Sequence, residues 1–109
     1  MAHLYFDNFV IILELNMLFV TEFEFEVGEK EKHEINFKYS KWLGDITIKS
    51  DGVVIAKNRV LLAGQSPIIN VSVGNSEKHN LRFDVRPQGL FFLKPTIAVY
   101  VDDKLFKDY

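Results

Sequence analysis

Cysteine is absent from all 109 residues, which excludes disulfides, thiolate metal sites and cysteine nucleophiles. Proline is scarce, and Pro67, Pro87 and Pro95 each fall where a strand would begin or a connection would run. A dominant charge sign is missing too. Fifteen acidic and 13 basic residues are interspersed, with a formal net charge of −2 and no block of one sign. That pattern lacks the basic stripe of a nucleic-acid binder and the charge run of a disordered tail. The most apolar run, residues 8–20 (NFVIILELNMLFV), is broken by Glu14 and Asn16. It falls short of the roughly 20 apolar residues that a spanning helix needs. No basic region precedes it and no small-residue cleavage site follows it, so the expectation is a cytoplasmic protein without membrane contact. The segment 1–19 is expected to add a strand or short element covering the main domain. Met17 is an alternative initiator, which leaves open whether residues 1–16 belong to the native product.

Catalytic patterns are missing as well. No G-x-S-x-G surrounds Ser40, Ser50, Ser66, Ser72 or Ser76, and no G-x-G-x-x-G or P-loop occurs. His3, His33 and His79 show no H-x-H or H-x-x-x-H spacing, whereas a metal site needs three or four convergent ligands. The expectation is therefore no enzyme, no catalytic or metal-binding residue and no cofactor. Asp51, Asp102 and Asp103 read as turn formers rather than as a calcium site. Glu22, Glu24 and Glu26 read as a solvated strip on one strand face that discourages edge pairing.

What the chain has is alternation. Phe23, Phe25 and Val27 alternate with the three glutamates, and His33, Ile35, Phe37 and Tyr39 alternate with Glu34, Asn36 and Lys38. Period 2 over such lengths marks half-buried strands. Gly28 opens one hairpin loop, and Asp51-Gly52 is a two-residue turn signal. The second half repeats the plan. Residues 27–39 (VGEKEKHEINFKY) align with 73–85 (VGNSEKHNLRFDV) at a constant shift of 46, with six of thirteen pairs identical. Average residue usage would give about one identity. Further on, Ile46, Ile48 and Asp51 correspond to Ile97, Val99 and Asp102 at a shift of 51, so the second copy has five extra residues within RPQGLFFLKP.

Each copy thus reads as strand, glycine loop, strand, connection, strand, acidic turn, strand. The predicted fold is all-β: a single domain, 1–109, forming a small antiparallel β-sandwich of about eight strands. Its two similar four-stranded halves cover residues 20–62 and 66–109. A flattened β-barrel is the alternative. The repeated Glu-Lys-His is read as structural, with His33 and His79 at a sheet rim bonded to nearby backbone and far apart in the two halves.

The glycine, short polar loop, His and alternating strand, followed by an acidic turn after ITIKS or AVYV, resemble the Fas apoptosis inhibitory molecule (FAIM) family. The closing YVDDKLFKDY is similar to that family's C-terminal hairpin, and the resemblance covers residues 20–109. It implies a compact β-sandwich and a non-enzymatic protein acting through protein contacts, with cell-death signalling and aggregation-prone protein as the family's associations. The expected function is a non-catalytic protein-interaction module for apolar or unfolded segments. Its candidate surface is Tyr39, Trp42, Leu90, Phe91 and Phe92. Tryptophan is enriched at binding hot spots, and four consecutive apolar residues, Leu90 to Leu93, cannot all face one side of a strand. A homodimer is compatible with both features. The alternative function is a carbohydrate or lipid site at the sandwich end near Tyr39 and Trp42.

Overall fold

A computed structural model describes residues 19–60, 65–88 and 94–109. They contain eight strands: β1 (Val20–Val27), β2 (His33–Ser40), β3 (Asp45–Ser50), β4 (Val53–Arg59), β5 (Ile68–Val73), β6 (His79–Arg86), β7 (Thr96–Val101) and β8 (Lys104–Asp108). Strands β1 to β4 form one antiparallel sheet in sequential order and β5 to β8 a second, so each half of the repeat is one sheet. The sheets are not closed into a barrel. Among the described residues no helix is long and apolar enough to cross a membrane.

Alternation decides which side of each strand is buried. Ile35, Phe37 and Tyr39 of β2, with Ile46 and Ile48 of β3, meet Leu81, Phe83 and Val85 of β6 and Ile97 and Val99 of β7. The rings of Phe37 and Phe83, equivalent at the shift of 46, stack at 5.3 Å between centroids. Two side chains that are one residue of the repeat therefore meet at its two-fold axis. Among the described residues no polar or charged side chain is buried, so the core is a single apolar layer.

The repeat extends to irregularities. Pairing of β3 with β4 shifts between Ile48 and Lys49, and pairing of β7 with β8 shifts between Val99 and Tyr100. The extra residues, Ile55 and Phe106, are related by the same 51 positions as the strands that carry them. Both acidic hairpins turn through left-handed pairs, Asp51 (φ 52°) with Gly52 (φ 81°) and Asp102 (φ 52°) with Asp103 (φ 66°). Two successive residues of positive φ match the twist of the flanking strands, and aspartate tolerates that conformation better than most residues.

The apolar segment 8–18, His3, and Leu90, Phe91 and Phe92 lie outside the described residues, as do the expectations attached to them.

Candidate functional site

The repeated glycine loops, 28–32 and 74–78, face each other across the two halves. Gly28 (φ +103°) and Gly74 (φ +97°) adopt a backbone that side chains rarely enter, and each curls the following residues into a nest of N–H groups. Each nest is filled by the other half's glutamate. The Glu31 carboxylate accepts N–H bonds from Asn75 (2.7 Å), Ser76 (2.7 Å) and Glu77 (3.3 Å). The Glu77 carboxylate accepts them from Glu29 (2.8 Å), Lys30 (2.7 Å) and Glu31 (3.2 Å). The result is a reciprocal clasp, each half holding the loop of the other with charge-assisted hydrogen bonds.

The histidines support the clasp from behind. His33 Nε2 lies 2.6 Å from Glu31 Oε2, and its Nδ1 lies 2.6 Å from Asp51 Oδ2. His79 repeats this with Glu77 (2.5 Å) and Asp102 (2.6 Å). A carboxylate only accepts, so both ring nitrogens must donate and each ring is an imidazolium. The remaining oxygens of Asp51 and Asp102 accept the N–H of Glu34 and Asn80, each at 2.9 Å. A rim histidine in each half is thus correct, but its partners are carboxylates rather than backbone. The loops that precede the two histidines touch each other across the halves. The acidic turns do more than turn, since Asp51 and Asp102 orient the histidines.

Electrostatics follow from this geometry. The hydrogen bond from His33, then those from the N–H groups of Asn75 and Ser76, lower Glu31 from an ordinary 4.5 to about 2. His79 and the N–H groups of Glu29 and Lys30 do the same to Glu77, which also falls to about 2. Asp51 and Asp102 raise His33 and His79, with Glu31 and Glu77 contributing next. A raised histidine stabilises the fold fully below its unfolded value near 6.5, and that stability is lost as pH rises through the folded value. A lowered glutamate stabilises above 4.5, and that contribution is lost as pH falls towards 2. Stability against urea should therefore be highest between about pH 4.5 and 6.5 and should fall on both sides. Circular dichroism across a pH series checks this, and a urea midpoint constant from pH 6.5 to 9 would rule out the imidazolium.

The clasp offers little chemistry. Its histidines are held at both nitrogens, which leaves neither free to take a substrate proton. Among the described residues no group of three or more His, Asp or Glu side chains is arranged to hold a metal ion. The glutamate strip is outward-facing, with Glu22 and Glu24 each accepting an amide hydrogen bond from Asn36 at 3.0 Å. Hydrogen bonding and repulsion from Glu24 raise Glu34 on the same surface.

The predicted contact surface divides. Tyr39 is 2% exposed and belongs to the core, so it cannot share a surface platform with Trp42. Trp42 is 73% exposed, in the loop joining β2 to β3, and Leu43 beside it is also exposed. The loop is fixed at its base: Gly44 donates to the Ser40 carbonyl, and the Gly44 carbonyl accepts from Val60. Phe19 meets the indole edge-to-face at 5.2 Å. No protein-family model, curated protein or solved structure matches the chain.

Proposed function

We propose that the protein is a non-catalytic protein-interaction module whose contact surface centres on Trp42 and Leu43, with apolar or unfolded protein segments as its partner class. The observation that carries this reading is a tryptophan left 73% exposed on a loop that is itself anchored by backbone hydrogen bonds. A large amphipathic ring presented rigidly loses little conformational entropy on binding, which is why tryptophan recurs at hot spots. The use of both repeated histidines in holding the halves together fits a role without catalysis. The FAIM-like pattern of the loops and hairpins points to the same class, and a cytoplasmic location would suit it.

Trp42 is the sole tryptophan, so its emission reports its own surface. Titration with a carboxymethylated, permanently unfolded protein should shift that emission to the blue and saturate, while the folded form of the same protein should leave it unchanged. Leu43→Asp should weaken the interaction about tenfold or more and move stability by no more than about 0.5 kcal/mol. Emission that stays flat with the unfolded protein, or binding untouched by Leu43→Asp, would remove this surface from consideration.

A further inference from the structure

Among the described residues the two sheets have four edge strands, and three of them are defended against pairing with another chain. β1 carries Glu22, Glu24 and Glu26. β4 and β8 are both interrupted by a register shift, and they carry Lys57 and Arg59, and Lys104 and Lys107. Charges and bulges of this kind are the usual protection of an edge. β5 has neither. Its sequence is Ile-Ile-Asn-Val-Ser-Val, with no charge, no internal proline and an unbroken register with β6. The repeat sharpens the contrast: at a shift of 46, Glu22, Glu24 and Glu26 become Ile68, Asn70 and Ser72.

The backbone of β5 points the right groups outward. Val85 donates its N–H to the Pro67 carbonyl, which makes Pro67 and Val85 a narrow, hydrogen-bonded pair. Such pairs alternate along an antiparallel ladder, so Ile69, Val71 and Val73 bond to β6 while Ile68, Asn70 and Ser72 turn their N–H and C=O to the free edge. Ile68 is 60% exposed.

We propose that β5 is a self-association edge, and that its occupant is β5 of a second copy paired antiparallel about Asn70. In that register Ile68 faces Ser72 of the second copy, Asn70 faces its own equivalent, and Ile69 faces Val71. Each outward-pointing amide and carbonyl finds a partner and no like charges are opposed. A two-fold pairing of one strand with itself closes at two copies rather than growing into a fibre. The neighbouring strand supplies further apolar area, because β4, which contacts β5, carries the exposed Val53, Val54 and Ile55. The opposite rim is already sealed by Phe23 stacked on Tyr109 at 3.6 Å and Phe25 against Phe106 at 5.2 Å. The positions equivalent to these four are the smaller Ile69, Asn58, Val71 and Ile55, so this rim lacks the aromatic seal. The edge does not involve Trp42, and the inference stands apart from the proposed function.

The test uses the full chain. Sedimentation equilibrium should show a reversible dimer with a dissociation constant between about 1 µM and 1 mM, the range of a small transient interface. In the dimer, the amides of Ile68, Asn70 and Ser72 should exchange slowly and become faster on dilution. Asn70→Glu restores the kind of residue found at Glu24 and places it opposite Arg82 within the sheet. It should weaken the dimer about tenfold or more by opposing two carboxylates. Asn70→Pro removes an N–H that makes no bond to β6, and it should do the same. A chain that remains monomeric at about 1 mM overturns the proposal, whether those three amides exchange freely or are protected within a single copy. So does a dimer that persists in folded Asn70→Glu or Asn70→Pro, or amides protected only when an unrelated extended peptide is added.

Discussion

Alanine at Gly28 or Gly74 should cost about 3 kcal/mol or more of folding stability, far beyond the effect of an ordinary loop substitution. Two costs combine. At φ +103° and +97° a side chain is strained whatever its surroundings. In addition, a Cβ at Gly28 would stand 2.0 Å from the Glu31 carbonyl oxygen, and one at Gly74 would stand 2.0 Å from that of Glu77. Neither oxygen is on a side chain that can swing away, so the loop must open. Opening it disperses the N–H groups that receive the opposing glutamate, and the Cβ would also crowd that carboxylate at 3.3 Å. The damage therefore reaches the contact between halves. Gly52→Ala is the control: φ is +81°, but nothing lies within 4 Å of the added carbon. It should cost only about 1 kcal/mol. Urea unfolding of the three variants separates the cases, and equal losses at Gly28 and Gly52 would mean that the nest contributes nothing.

Much of this architecture was legible because strand alternation is a local signal. The faces assigned from Phe23, Phe25, Val27 and from His33, Ile35, Phe37 are the faces that pack, and the repeat at shifts of 46 and 51 is the relation between the two sheets. The clasp was not legible for the opposite reason. A glutamate in a polar loop reads as solvated, and nothing near Glu31 in sequence announces a set of N–H donors 44 to 46 positions away. The only available signal was that glycine, glutamate and histidine recur at the same spacing before a strand, with an acidic turn after it. Four residue types preserved together in both halves suggest a joint task, which each residue alone does not. Tyr39 shows a different failure. The alternation that buries Ile35 and Phe37 buries Tyr39 as well, and grouping it with Trp42 by sequence proximity overrode that pattern. The register shifts at Ile48 and Val99 depend on the hydrogen-bond ladder, which composition does not report.

The second large effect is expected at the axis itself. Phe37→Ala and Phe83→Ala should each cost about 3 to 5 kcal/mol, because both rings are fully buried and the vacated space cannot be filled by a rigid sheet. Chain stability in domains of this size is roughly 5 to 15 kcal/mol, so either loss removes a large share of the total. The repeat makes the prediction sharper than a generic core truncation. Phe37 and Phe83 are one position of the repeat seen twice, and each is the other's neighbour at 5.3 Å with an interplanar angle of 21°. Their two costs should be similar. They should also fail to add, because the first truncation already removes the stacking that the second would remove, and paired rings contribute about 0.5 to 1.5 kcal/mol beyond their buried area. The gentler pair Phe37→Leu and Phe83→Leu keeps all four species folded, so the double-mutant cycle can be completed. A coupling near 1 kcal/mol would place the ring contact among the forces that join the halves. Additivity within about 0.3 to 0.5 kcal/mol would mean that the rings only fill space, which would leave the glutamate clasp as the specific link between the two sheets.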